Sequence, residues 1–296
     1  MMNIKHIGFI INPASGKQEA ILSYINQAMD GTDIEWDVYV TKKNKGAGQI
    51  AQELIGKTDL VAVYGGDGCV TEVAAALHGS EIPLAIIPGG TANVMAKELG
   101  IPLETTAALA VITVNNYAIR SIDMGLFNGQ PFLLRVNIGI MADMVLQADR
   151  ELKNSLGQLA YGLTAIKTLV GAEPTSYHLE IDGQHFNESG VSLTVTNSGH
   201  VGIGDFSLQP GISITDGMLD VILMKDASLL SVLKVAGSTL LQNETEALRH
   251  WQCKQIVINM DQAHQLLCDD RKETASQINI TVVPSSIRIL VPQPKF

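Results

Sequence analysis

Residues Leu60 to Gly79, LVAVYGGDGCVTEVAAALHG, restrict the fold more than any other stretch of the chain. Leu60 to Tyr64 is a short apolar run rich in β-branched residues, the pattern of a buried strand. Gly65-Gly66-Asp67-Gly68 cannot extend it, because three glycines around one carboxylate leave nothing to pack on a sheet. From Cys69 the period becomes helical: Val70, Val73, Ala74 and Leu77 fall at i, i+3, i+4 and i+7, and Gly79 supplies a stop. A glycine turn between a strand end and a helix start offers bare backbone N–H groups and a positive helix end, which suits phosphate. Asp67 within that turn can hold a metal ion directly or through water. A tight βα turn with a solvated aspartate fits the same four residues, and this stretch alone leaves both readings open.

The surrounding sequence repeats the strand–turn–helix theme. His6 to Ile11 reads as a strand closed by Asn12-Pro13-Ala14-Ser15-Gly16-Lys17, followed by a helix from Glu19 to Met29. Glu35 to Thr41 alternates as a half-buried strand, and Ala47 to Ile55 is helical. Pro83 to Ile87 is a fourth strand, Pro88-Gly89-Gly90-Thr91 a second glycine turn, and Ala92 to Leu99 a helix stopped by Gly100 and Pro102. Strands and helices alternating on short connections imply a parallel sheet with right-handed crossovers. Ligands of such sheets lie beyond the carboxyl ends of the strands. Three turns, NPASGK, GGDG and PGGT, therefore converge on the ligand edge. Lys17, Lys42, Lys43 and Lys45 lie in turns there, either offsetting phosphate charge or simply solvated. Neither the P-loop spacing nor the G-x-G-x-x-G fingerprint is present.

Composition narrows the class further. With 46% apolar and 17% charged residues in 296, the chain can build one large core or two modest ones. A formal charge of −10 argues against a nucleic-acid surface and repels anionic membranes, so membrane contact would be local, peripheral and transient. Cys69, Cys253 and Cys268 form neither a disulfide framework nor a zinc pattern and suit a reducing compartment. The N-terminus reads as a first strand rather than a leader, and no apolar run reaches the ~18 residues of a membrane span. The expectation is a cytoplasmic protein. Its oligomeric state, a homodimer among the options, is left open.

Beyond Asp123 the pattern changes. Asn128-Gly129 and Asp182-Gly183 are hairpin turns, flanked by Ile119 to Phe127 with Phe132 to Ile140, and by Tyr177 to Ile181 with Gln184 onward. Val191 to Thr196, Leu219 to Met224, Gln255 to Met260, Gln277 to Val283 and Ile287 to Val291 add short strands. Two helices, Leu156 to Val170 and Leu229 to Leu241, interrupt them. The histidines show no ligand spacing, and no G-x-S-x-G elbow supports a serine nucleophile.

Four motifs, Asn12-Pro13-Ala14-Ser15-Gly16, Gly65-Gly66-Asp67-Gly68 with Glu72, Gly90-Thr91-Ala92-Asn93 and Thr215-Asp216-Gly217-Met218-Leu219-Asp220-Val221, resemble the diacylglycerol kinase catalytic family. That family includes bacterial lipid kinases and sphingosine kinases. The resemblance spans essentially the whole chain. It implies an α/β nucleotide-binding domain over residues 1–122, with residues 288–296 packing back on it, and a β-sandwich over 123–287. It also implies transfer of the ATP γ-phosphoryl group to a lipid hydroxyl with Mg²⁺. Carried over by position, Asn12, Thr41, Gly65, Gly66, Asp67, Gly68, Cys69, Glu72, Gly90, Thr91 and Asn93 surround the nucleotide, with Asp67 on the catalytic Mg²⁺. Asp216, with the carbonyls of Ser213 and Met218, matches a second, structural metal site. Hard oxygen ligands of this kind suit Mg²⁺.

Three positions depart from the family pattern. Cys69 replaces a threonine after GGDG, and Val94 follows Asn93 where many members carry aspartate. The family's Asp-Gly-Glu, whose glutamate is the general base, falls on Asp269-Asp270-Arg271, so Arg271 takes the glutamate's place. Arginine stays protonated and cannot accept a proton. Either Asp269, Asp270 or Glu273 takes the role, or catalysis is weakened or lost; a two-residue offset would bring Glu273 into register. Two rivals to the lipid kinase remain: a catalytically inactive nucleotide- or lipid-binding relative, and an NAD kinase, which shares GGDG but carries a glutamate after the equivalent of Asn93.

Overall fold

The structure, a computed structural model, describes residues 3–17, 19–114, 117–142, 173–200, 211–226 and 248–293. The chain forms two compact units, Met1–Met124 with His200–Asp205 and Pro284–Phe296, and Gly125–Gly199 with Phe206–Val283.

The first unit is α/β. Its elements run β1 (His6–Ile11), α1 (Ile21–Met29), β2 (Glu35–Val40), α2 (Ala47–Leu54), β3 (Leu60–Gly65), α3 (Asp67–Leu77), β4 (Leu84–Pro88), α4 (Val94–Glu98) and α5 (Thr105–Thr113). The strands pair in parallel in the order β4-β3-β1-β2. Every residue of β3 and β4 is buried, as expected of parallel strands covered on both faces, whereas β2 at the edge alternates. Helix α3 buries Val70, Val73, Ala74 and Leu77, the face its spacing predicts. Val70, Val73 and Leu77 each contribute about 1.5–3 kcal/mol when fully withdrawn from water. The chain leaves β1 toward β2 on one side and later returns to β3 on the other. The switch point of the sheet therefore lies between the carboxyl ends of β1 and β3.

The second unit is antiparallel. Its strands are the end of β5 (Tyr117–Phe127), β6 (Gln130–Phe132), β7 (Arg135–Gly139), β8 (Thr175–Ile181), β9 (Gln184–Gly190), β10 (Ser192–Thr196), β11 (Leu219–Met224), β12 (Leu248–Cys253), β13 (Gln255–Cys268) and most of β14 (Arg271–Pro292). Strands β12-β11-β10-β7-β13 pair in that order, and β13 also pairs with β8 and β14. Phe132, Ile138, Tyr177, Leu193, Val221 and Ile258 belong to one hydrophobic core. The last residues of β14 belong to the first unit, where Ile289 and Leu290 pair in parallel with Leu84 and Ala85 of β4.

Several boundaries differ from expectation for identifiable reasons. Helix α3 starts at Asp67, not Cys69, because Gly66 takes the extended N-cap conformation and Asp67 already occupies the first turn. Helix α4 starts at Val94, not Ala92, since Asn93 adopts a left-handed backbone with φ 49°. The expected strand Phe132 to Ile140 is two strands, β6 and β7. The two C-terminal strands are one long β14, in which Ser285 takes a positive φ of 48° without ending it. Helix α5, strand β12 and the extension of β13 to Cys268 escaped the period analysis; α5 is apolar on nearly all sides, so no stripe marks it. The helices expected at 156–170 and 229–241 lie outside the described residues.

At the amino ends of the strands, His6 joins three segments. Its Nδ1 is 3.0 Å from the Lys57 carbonyl oxygen and its Nε2 3.0 Å from Asp37 Oδ2. Both partners only accept, so the doubly protonated ring satisfies both at once. The Lys57 carbonyl raises the His6 pKa above 6.5, Asp37 and Glu35 add to the rise, and partial burial opposes it. Asp59 accepts the backbone N–H groups of Lys5 and His6. A raised folded-state pKa means this contribution is complete below pH 6.5 and disappears as pH rises through the folded value. Denaturant unfolding of the wild type and His6→Gln should differ most at pH 5–6 and converge at alkaline pH. A stability difference independent of pH would refute the assignment.

Candidate active site

The three turns meet at the switch point. Parallel register places Ile11 beside both Val40 and Tyr64, and Gly65 beside Pro88, so Asn12, Thr41, Gly66 and Gly89 all begin at one sheet edge. The glycine turns after β3 and β4 touch through bare backbone. A Cβ on Gly90 would lie 2.5 Å from the Gly66 Cα, and one on Gly66 3.3 Å from the Gly90 Cα. Glycine is required there because backbone, not a movable side chain, fills the space.

Two side chains lock this approach. Asn93 accepts the Gly90 N–H on Oδ1 (3.0 Å) and donates from Nδ2 to the Gly90 carbonyl (2.8 Å), bracketing one residue with a buried amide. Asp67 accepts the Met95 N–H on Oδ1 at 3.0 Å, so the first residue of α3 caps the first turn of α4. Its Oδ2 has no hydrogen bond to a described residue. No side chain caps α3 itself, because its N-cap is Gly66, and its first-turn amides face the turn.

The first turn adds Asn12, which donates from Nδ2 to Cys69 Sγ (3.0 Å) and accepts on Oδ1 from Ala14 N–H (3.0 Å) and Thr41 Oγ1 (3.4 Å). Asn12, Thr41 and Cys69 are thereby brought together, and Cys69 answers an amide where the family's threonine would place a hydroxyl. Thr91 reaches the first turn: a Cβ on Gly16 would lie 3.3 Å from its Oγ1. Ser15 was not singled out from the sequence. Its Oγ is buried without a hydrogen-bond partner among the described residues, and its place in N-P-A-S-G was the available signal.

Other expected contributors hold the frame. Lys17 Nζ donates to the carbonyls of Pro88 (2.9 Å) and Leu103 (2.8 Å), bolting the first turn to the end of β4. Lys45 pairs with Glu53 at 2.8 Å. Glu72 accepts the N–H groups of Ala47 (2.9 Å) and Gly48 (3.3 Å) and so caps α2.

The remaining expected residues belong to the second unit. Ser213, Asp216 and Met218 lie in one turn before β11, where Asp216 Oδ1 accepts the Met218 N–H at 3.0 Å. Among the described residues, no group of three His, Cys, Asp or Glu side chains forms a metal site. Asp269 and Asp270 form the two-residue tip between Cys268 and Arg271. The Asp269 carboxylate accepts three backbone N–H groups, those of Leu133, Leu134 and Arg135, each at 2.9 Å. A carboxylate loaded in this way is a poor proton acceptor. Arg271 Nη2 donates to the Pro131 carbonyl at 2.7 Å and to Cys268 Sγ at 3.3 Å. Burial, reinforced by the Asp269 charge, pushes the Cys268 thiol up to about 12. Asp270 and Glu273 are exposed and carry no hydrogen bond to a described residue.

An α/β unit with a glycine-turn edge, joined to an antiparallel β unit, defines a two-domain kinase fold. Residues 6–127 match the diacylglycerol kinase catalytic domain, and residues 135–291 match the YegS C-terminal NAD kinase beta sandwich-like domain. The chain belongs to the diacylglycerol kinase catalytic family. It is 31% identical to a diacylglycerol kinase of Bacillus subtilis (strain 168), over 90% of this chain and 89% of that one. It is 30% identical to a Pseudomonas fluorescens protein named as a probable YegS-like lipid kinase, over 87% of each. A crystal structure from Bacillus anthracis str. Sterne superposes with a TM-score of 0.83 at 27% identity, covering 99% of both chains.

The Gly66–Gly90 contact is directly testable. Gly90→Ala forces a methyl group against backbone and should destabilise the protein by about 1–3 kcal/mol. Urea unfolding measures this, and an unchanged midpoint would show that the turns separate freely.

Proposed function

We propose that this protein is an ATP-dependent lipid kinase, transferring the γ-phosphoryl group to a hydroxyl of diacylglycerol or a related long-chain alcohol. The observation that carries the reading is the convergence of three strand-end turns at the switch point, with Gly66 and Gly90 in backbone contact and Asp67 beside them. Family membership supports it.

The phosphates of ATP lie against the first-turn amides of α3 and the glycine turns. Asn12, Thr41, Gly65, Gly66, Gly68, Cys69, Gly90, Thr91 and Asn93 line them, and Glu72 acts through its hold on α2. Asp67 would hold Mg²⁺ through Oδ2, the oxygen left open by the Met95 contact. The bound ion supplies positive charge to the phosphate oxygens. Ser213, Asp216 and Met218 would hold a second cation that stiffens the turn before β11.

In the transfer, the acceptor hydroxyl oxygen bonds to the γ-phosphorus while the bond from that phosphorus to the β–γ bridging oxygen breaks, and ADP departs. The hydroxyl proton passes to Glu273 or Asp270, because Asp269 is committed to three amides. Membrane contact is peripheral and transient, on the cytoplasmic side. Among the described residues, no helix is long and apolar enough to cross a membrane.

A second reading rests on Arg271, which the sequence resemblance aligns with the family's general base and which is fixed on Pro131 and Cys268: a relative that binds ATP and lipid with little turnover. Transfer of labelled γ-phosphate to a lipid panel separates the two. Asp67→Asn keeps an acceptor for Met95 N–H but loses the charge, and should lower turnover at least ~100-fold. Glu273→Gln or Asp270→Asn should cost about 10²–10⁴-fold, whichever is the base. If the wild type labels no lipid above Asp67→Asn, while calorimetry detects ATP binding, the second reading holds.

A further inference from the structure

Arg271 closes the hairpin opposite Cys268, and both N–H groups of its Nη2 are engaged, one on the Pro131 carbonyl and one on Cys268 Sγ. The guanidinium plane is therefore held from one side. Three N–H groups remain, one on Nε and two on Nη1, and none bonds to a described residue. Among the described residues, no carboxylate lies within ion-pair distance of it. Asp269 turns to the amides of Leu133, Leu134 and Arg135, while Asp270 and Glu273 are exposed and unbonded. A half-buried, fixed cation with no counter-charge among the described residues is an unfavourable arrangement unless an anion completes it. A guanidinium held in one orientation is suited to phosphate oxygens.

Position adds a second constraint. Residues two apart on a strand share a face, so Arg271 and Glu273 project to the same side, about 7 Å apart along β14. One of the two candidate proton acceptors and an anion-binding cation on one face of one strand suit an acceptor that carries both a hydroxyl and a phosphate. We propose that Arg271 binds a phosphate group on the lipid acceptor itself, so that this protein favours an anionic hydroxylated lipid over neutral diacylglycerol. This rests on the lipid-kinase reading above and narrows its substrate class.

The test uses the full chain with Mg-ATP and acceptors in neutral detergent micelles: 1-acylglycerol, 1-acylglycerol 3-phosphate and diacylglycerol. The phosphate-bearing acceptor should be used with kcat/KM at least about tenfold above its neutral counterpart, the scale of one charge-assisted hydrogen bond. Arg271→Gln should collapse that ratio, and Arg271→Lys, which retains the charge, should keep most of it. Circular dichroism of both variants controls for folding, and should Arg271→Gln unfold, loss of the wild-type preference at high salt replaces it. Equal use of the two acylglycerols, a ratio unchanged in Arg271→Gln, or an effect confined to the KM for ATP would overturn the proposal. So would displacement of the lipid phosphate by equimolar inorganic phosphate, which would mark a site for free anion. If no acceptor is phosphorylated, the kinase reading fails by itself. Binding of the two acylglycerols without ATP, followed by calorimetry, then still decides the role of Arg271.

Discussion

The candidate site depends on the contact between two pieces of bare backbone, Gly66 and Gly90. Neither turn could come so close with a side chain present, because a Cβ on Gly90 would sit 2.5 Å from the Gly66 Cα. Bare backbone does not hold itself together, so the contact needs polar locks. Asn93 supplies one by bracketing Gly90, and Asp67 supplies the other by capping α4 from the first residue of α3. Asp67 thus has a structural use for one oxygen, while the second has no hydrogen bond to a described residue. One side chain links the geometry of the turns to their charge.

The surrounding residues follow a division of labour. Charged side chains near the turns are largely engaged in holding the frame: Lys17 on two carbonyls, Lys45 on Glu53, and Glu72 on the start of α2. The remaining groups at this edge are mostly backbone amides and small polar side chains. That suits a site whose chemistry is positioning rather than covalent participation. The second unit repeats the arrangement at its hairpin, where Asp269 fixes residues 133–135 and the Arg271 fork is anchored on Pro131.

Much of the α/β unit was legible because its elements obey a simple period. The buried runs of β3 and β4 and the i, i+3, i+4, i+7 face of α3 are all readable by counting. Positions that broke the count carry special backbone. Asn93 adopts a left-handed conformation that delays α4, and Gly66 takes the N-cap role that draws Asp67 into the helix. In the second unit, the continuity of β14 through Ser285 and the extent of β13 escaped local reading, since strand length there is set by partners far along the chain. The carboxylates around the hairpin tip were indistinguishable in sequence. Their hydrogen bonds separate Asp269, saturated by amides, from Asp270 and Glu273.

The two-part architecture, the three turns on one edge and the family can all be read from the chain alone, because glycine turns and side-chain periods are local properties. The task of each polar group emerges only when the chain is folded. Folding made Glu72 a helix cap and Lys17 a bolt, left Ser15 Oγ buried without a partner among the described residues, and set the Arg271 fork on Pro131. A hydrogen bond can join groups 140 residues apart, as between Arg271 and Pro131, and no local pattern records which donor will meet which acceptor.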